Sequence, residues 1–381
     1  MRIQGGQALV GGRLVDADVD IDEEAGQIGA IGSAGGNGRC FDARGLAVLP
    51  GIVDIHADAF ERQLMPRPGV GFPIDVALLE SDRQAVSNGI TTLYHGVTWS
   101  WEPGLRGADN ARAMLNEIES LRPRLGADTR CHLRYETFNL DAEAEVAGWL
   151  GDRRIGMLGF NDHMPGENTP PRTRKVAQMA ERAGLSREDF LSLVERLKAR
   201  ANEVPGSIAR LAAIACANTI PLLSHDDMSP EQRRWFRDLD CRLAEFPTTI
   251  ETAQEATAGG DDVVLGAPNV VRGGSHIGWI GAADMISRGL CTILASDYYY
   301  PAPLLAAFRL AGDGIAPLET AWSYVSERPA KAAGLSDRGA IEPGRRADLI
   351  VVDASDELRP TVIATISKGR LVHLSEPNRL N

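Results

Sequence analysis

Two rhythms of apolar and polar positions divide the chain. Up to about residue 50 the apolar positions come in short runs, 7–15 and 18–31, cut by Gly11-Gly12, Gly26 and Gly35-Gly36. This is the pattern of short strands joined by glycine turns. Beyond it, compact apolar runs alternate with stretches of helical period. The runs predict strands at 51–58, 90–97, 130–136, 155–163, 219–226, 262–268 and 291–297, with a short one at 243–249. The intervening stretches predict helices, among them 110–121, 189–203, 207–217 and 281–288. Ser186 with Asp189 reads as a capping box, and Ser229-Pro230 as an N-cap followed by proline at the first helical position.

Repeated strand–helix units over about 250 residues predict an α/β fold, a (β/α)8 TIM-type barrel. A doubly wound sheet is the alternative, but the chain has no GxGxxG turn to support it. Strand patterns return at 349–352, 361–367 and 370–373. Strands at both termini predict a small β-sandwich domain built from 1–50 plus 340–381, attached to a barrel of 51–339. The segment 164–206 is long for a barrel connection and is a candidate cap over the mouth.

In such a barrel the C-terminal strand ends carry the active site. The run Leu49-Pro50-Gly51-Ile52-Val53-Asp54-Ile55 closes on His56-Ala57-Asp58. Residues i and i+2 of a strand share a face, so His56 and Asp58 point together, an arrangement suited to a divalent metal. His95, His163, His225 and His276 also fall at or just past strand ends. In Cys131-His132-Leu133-Arg134-Tyr135-Glu136 the alternation puts His132, Arg134 and Glu136 on one face, with Glu136 last. Phe160-Asn161-Asp162-His163, Ser224-His225-Asp226-Asp227 and Leu294-Ala295-Ser296-Asp297 close three further strands.

Several of these groups have ordinary structural roles open to them. His95 and His132 read as hydrogen-bonded core or rim residues, His373 as surface, and Asp54 as a buried structural partner. Asp162, Asp226 and Asp227 are candidates for helix caps. The set His56, Asp58, Glu136, His163, His225 and Asp297 is harder to assign to packing, because it places six metal-competent groups on five strand ends. Neutral imidazoles and carboxylates hold Zn²⁺ or a similar ion at about 2.0–2.2 Å. A carboxylate shared by two ions sets them about 3.5–4 Å apart, and water between them loses a proton near neutral pH. A further carboxylate can carry that proton to the leaving group.

Composition narrows the partners. The 381 residues, 44% hydrophobic, suffice for one large core with a satellite. A net charge of −12 offers no basic stripe to nucleic acid. No apolar run approaches the roughly 18 residues of a bilayer span, and the opening MRIQGGQALVGG lacks the form of a secretory signal. Five cysteines, widely spaced and without a CxxC pair, read as reduced thiols of a cytoplasmic protein. The expected partner is a small molecule, with no nucleic acid and no membrane; a homo-oligomer is compatible with the sequence.

At these residues the chain resembles the amidohydrolase superfamily. The intervals agree: 80 residues from His56 to Glu136, 27 to His163, 62 to His225 and 72 to Asp297. Leu49-Pro50-Gly51-Ile52-Val53-Asp54-Ile55-His56 resembles the superfamily's first strand, Gly89-Ile90-Thr91-Thr92 its second, and Gly344-Arg345-Arg346-Ala347-Asp348-Leu349-Ile350-Val351 its C-terminal β domain. A narrower likeness runs through Met65-Pro66-Arg67-Pro68, Ser224-His225-Asp226-Asp227, Glu245-Phe246-Pro247-Thr248-Thr249 and Ser296-Asp297-Tyr298-Tyr299. It extends to Gly266-Ala267-Pro268-Asn269-Val270-Val271-Arg272-Gly273-Gly274-Ser275-His276. These stretches are similar to the alpha-D-ribose 1-methylphosphonate 5-triphosphate diphosphatases of the carbon–phosphorus lyase pathway.

The resemblance implies a metal-dependent hydrolase that releases diphosphate from that triphosphate or a related phosphorylated ribosyl compound, by attack of metal-bound hydroxide. It implies two divalent ions per chain, Zn²⁺ favoured over Mn²⁺ or Fe²⁺. His56 and Asp58 would bind the first ion with Asp297, Glu136 would bridge, and His163 and His225 would bind the second. Asp297 would also be the catalytic proton shuttle. Arg67 and Arg272 are expected to meet phosphate oxygens, with Ser275 and His276 as further substrate contacts. Two features depart from the branch: Ala59-Phe60-Glu61-Arg62 after Asp58, and Thr98-Trp99-Ser100-Trp101, whose indoles either stack on a ring or close a loop. Two other readings stay open: hydrolysis of an amide, imide or cyclic C–N bond, and a barrel that binds metal and ligand without turnover.

Overall fold

The computed structural model describes residues 1–32, 38–67, 69–165, 174–274 and 281–381. Eight strands follow one another in chain order through one parallel sheet: Ile52–Ala57, Ile90–Trp99, Asp128–Glu136, Met157–Asn161, Leu222–His225, Leu243–Glu245, Asp262–Gly266 and Ile293–Ala295. With the helices between them they make the (β/α)8 barrel that the apolar runs predict. The last strand meets the first through Asp297 N–H donating to His56 O at 2.9 Å and Asp58 N–H donating to Asp297 O at 2.7 Å. By packing, the chain forms two compact units, 1–95 with 121–130 and 262–381, and 96–120 with 131–261.

The first unit contains strands from both termini. A four-stranded sheet orders Gln27–Ile31, Val19–Asp22, Arg2–Gln4 and Cys40–Asp42. A six-stranded sheet orders Arg370–Leu374, Thr361–Ser367, Leu349–Asp353, Ala47–Pro50, Gln7–Val10 and Arg13–Asp16. The 7–15 run is therefore a hairpin, and its Gly11 and Gly12 both have positive φ, 57° and 74°, as a tight hairpin turn requires. Ile3, Ile28, Phe41, Val48, Leu349, Val351 and Ile363 share one buried core. Gly51, where the chain leaves this sheet for the barrel, sits so close to Thr91 that a Cβ would lie 2.2 Å from its Oγ1. Trp322, fully buried, donates its indole N–H to Pro50 O at 3.0 Å.

The second unit contains the helical insertion. Helices Arg174–Ala183 and Arg187–Lys198 pack Val176, Met179, Phe190 and Val194 around Trp101. Arg182 binds buried Glu102 through Nε at 3.0 Å and Nη2 at 2.7 Å. Ser186 caps the second helix by accepting from Asp189 N–H at 3.1 Å, as expected. Trp99 packs on Trp149, ring centroids 4.7 Å apart, and Trp101 on Phe190 at 5.8 Å. Both indoles thus have aromatic packing partners within this unit. No helix among the described residues is long and apolar enough to cross a membrane.

Candidate metal centre

In the first unit the barrel closure brings three predicted residues together. His56, next to last in its strand, is buried, and its Nε2 lies 3.6 Å from Asp58 Oδ2. Asp297 follows the last strand in a left-handed conformation, φ 54°, between the two main-chain bonds to His56 and Asp58. His56, Asp58 and Asp297 each offer one ligand atom within 4.8 Å of the others. Asp54 stands behind them, fully buried, accepting from the N–H of His56 at 3.3 Å and of Ser296 at 3.1 Å. Burial pushes its carboxyl up to about 6, against the pull of those donors. It is the structural partner the sequence suggests. His95, also buried, stacks edge-on against Phe60 at 5.0 Å, and burial pushes its ring down to about 4.

Beyond Asp297, Tyr298 gathers positive charge. Arg272 Nη1 lies 3.3 Å from its hydroxyl, and the Arg62 guanidinium lies over its ring, 5.5 Å from the centroid. Both arginines are exposed. Arg62 was not among the predicted contacts; it lies in the stretch that departs from the branch. Arg67 is exposed in the turn closed by Val70 N–H on its own carbonyl, at 3.0 Å. Ser275 and His276 lie outside the described residues.

In the second unit Glu136, buried at the end of its strand, accepts from His163 N–H at 3.1 Å and faces His163 Nδ1 at 2.5 Å. Burial raises the Glu136 carboxyl, but His163 and Arg134 outweigh it and hold it below the usual range. His225 has Arg134 Nη2 3.2 Å from its Nε2, Glu245 Oε2 3.9 Å from the same nitrogen, and Asp226 Oδ2 3.2 Å from its Nδ1. The same Asp226 oxygen lies 3.9 Å from His163 Nε2. His163, His225 and Asp226 thus form a second group with ligand atoms within 4.8 Å of one another. Asp226, expected as a candidate helix cap, stands here instead, since Ser229 caps the following helix; Arg134 and Glu245 are neighbours that sequence reasoning did not assign to the site, Glu245 being visible only within a motif and Arg134 only by its alternation with Glu136.

The loop after His225 is fastened from beneath. Arg233, fully buried, donates through Nη1 to Ser224 Oγ at 2.6 Å and to Asp227 Oδ2 at 3.0 Å, and its Nε lies 3.3 Å from Asp261. Asp227 is thus an ion-pair partner, while Ser229 caps the following helix by accepting from Gln232 N–H at 3.2 Å. His132 is a core residue, packed so closely over Gly159 that a Cβ there would lie 2.7 Å from its Nε2. Imidazole and carboxylate are the donors a Zn²⁺-type ion takes, so each cluster fits such an ion by composition and spacing.

The fold and these residues define a hydrolase of the amidohydrolase superfamily, and the chain belongs to it. The amidohydrolase family profile matches residues 280–373. Within the superfamily, the chain is 34% identical over 336 residues to the alpha-D-ribose 1-methylphosphonate 5-triphosphate diphosphatase of Escherichia coli (strain K12), covering 84% of this chain and 86% of that one. The adenine deaminase of Methylobacterium sp. (strain 4-46) is 26% identical over 377 residues, 95% of this chain but 56% of that protein. A solved amidohydrolase superposes with a TM-score of 0.66 at 16% identity, over 98% of this chain and 99% of its own, which supports the fold. Membership with an enzyme relative sets aside the reading of a barrel without turnover.

Proposed function

We propose that this hydrolase releases diphosphate from alpha-D-ribose 1-methylphosphonate 5-triphosphate or a closely related phosphorylated ribosyl compound. The observation that carries the reading is the charge beside Asp297. Arg272 and Arg62 both converge on Tyr298, the next residue, where a polyanion would need cations. An amide substrate has no such need.

His56, Asp58 and Asp297 would hold one divalent ion, and His163 and His225 a second, with Glu136 shared as the superfamily resemblance implies. Such ions polarise phosphoryl oxygens and lower the pKa of water. Asp297 takes the proton of the attacking water and passes it to the leaving diphosphate. Water oxygen joins the ribose-proximal phosphorus, the bond to the bridging oxygen breaks, and the 5-monophosphate remains. Arg272 orients the phosphoryl oxygens, joined by Arg62, Arg67, Ser275 and His276 as surrounding contacts. The reading also assigns the enzyme to the cytoplasm, in keeping with free thiols at Cys40, Cys131, Cys216, Cys241 and Cys291.

Similarity to adenine deaminases supports a second reading, hydrolysis of a C–N bond. A product screen by mass spectrometry separates the two, pairing ribosyl and nucleoside triphosphates with amides, lactams and adenine. The proposal expects diphosphate from the ribosyl triphosphate, with Arg272→Ala raising KM about 10-fold or more, the scale of a lost charge-assisted hydrogen bond. Turnover of adenine or an amide without diphosphate release would establish the second reading instead.

A further inference from the structure

We infer that Asp226 is itself a metal ligand, completing a His163–His225–Asp226 site for the second ion; this rests on the proposed metal-dependent reading.

Three observations lead there. The first is backbone conformation. Adjacent residues of an extended strand point to opposite faces, so an aspartate directly after His225 should face away from it. Instead Asp226 is left-handed, φ 58°, and its N–H donates to Glu245 O at 2.9 Å. That turn swings the carboxylate alongside the imidazole of its own neighbour. Asp tolerates this region better than most residues, and such conformations concentrate at functional sites.

The second observation is convergence on one atom. Asp226 Oδ2 is faced by His225 Nδ1 at 3.2 Å and by His163 Nε2 at 3.9 Å. The three ligand atoms lie within 4.8 Å of one another, a spacing one ion can span. The third is the pair of carboxylates on His163: Glu136 faces Nδ1 at 2.5 Å, and Asp226 faces Nε2 at 3.9 Å. A carboxylate that orients one ring nitrogen is the usual companion of a metal ligated by the other.

A helix cap is excluded, because Ser229 caps the following helix. The remaining competitor is a positioning role, in which Asp226 only accepts the Nδ1–H of His225. Asparagine separates the two: its amide oxygen still accepts that hydrogen bond, but it is a poor ligand without charge.

The test is a Co²⁺ titration of the stripped full-length chain against a competing chelator, followed by absorbance and ion counting, with no substrate present. Asp226→Asn and Asp226→Ala are compared with wild type and with Asp58→Asn, and thermal unfolding of the stripped proteins checks the fold. Wild type is expected to bind two ions. Both Asp226 variants should weaken one of them at least 100-fold and leave the other unchanged, while Asp58→Asn weakens the other. If Asp226→Asn holds both ions within about 3-fold of wild type, Asp226 is not a ligand, whatever Asp226→Ala does. Wild type that takes up no Co²⁺ would overturn the metal-dependent reading itself.

Discussion

The two clusters of ligand-type side chains are held by different forces. His56, Asp58 and Asp297 are fixed by main chain: the barrel closure threads Asp297 between the backbone of His56 and of Asp58, and buried Asp54 accepts from the amides of His56 and Ser296. His163, His225 and Asp226 depend in addition on side-chain charge: beside the main-chain bond from Asp226 N–H to Glu245 O, Glu136 holds His163, Arg134 holds His225, and buried Arg233 holds Ser224 and Asp227 at either side of the His225-Asp226 pair. Backbone-held geometry survives a change of side chain. Charge-held geometry depends on each partner, because a buried ion left alone is costly.

Asp297→Asn probes the first kind of support. It keeps every main-chain bond and removes the proton carrier together with one charged ligand of the first ion, so hydrolysis should fall about 10²–10⁴-fold or more while the melting temperature of the metal-free protein stays close to wild type. Retained activity would remove Asp297 from its assigned role, and a lost fold would show that the main chain is not what holds this cluster.

Arg233→Met probes the second kind. It leaves buried Asp227 without its cation, while Asp261 keeps Arg237 at 2.8 Å, and should cost about 3–5 kcal/mol in denaturant unfolding, the scale for breaking a buried pair from one side. Ion affinity should fall at the His163, His225 and Asp226 group and hold at the His56, Asp58 and Asp297 group. Equal losses at both would erase the distinction between them.

A smaller effect belongs to His95. Burial depresses its ring to about 4 in the folded chain, while an unfolded histidine titrates near about 6.5. The unfolded state therefore binds the proton first. The stability contributed by neutral His95 is complete above about pH 6.5 and is lost as pH falls through about 4. His95→Gln should flatten the decline of unfolding free energy across that window; an unchanged slope would assign the acid sensitivity to other groups.

The same contrast explains what could be read from sequence. His56 and Asp58 were legible because strand alternation alone puts residues i and i+2 together, and Glu136 because it ends an alternating run. The barrel followed from the order of apolar runs, and the sandwich from strand patterns at both ends. Asp226 was hidden because alternation points it the wrong way; only its left-handed φ of 58° reverses that, and a local pattern does not specify it. Arg62 was hidden because its partner, Tyr298, is remote in sequence and near only once the chain has folded. Trp99 and Trp101 looked equally suited to a ligand or a loop; their packing on Trp149 and Phe190 was hidden because no local signal ties those residues to them.

The most direct measurement of the account is the metal content of gently purified full-length chain, followed through chelation and re-addition of divalent ion while hydrolysis of the ribosyl triphosphate is assayed. Two ions per chain are predicted, with activity that disappears on stripping and returns with metal. Full hydrolysis by protein carrying far less than one ion per chain would contradict it.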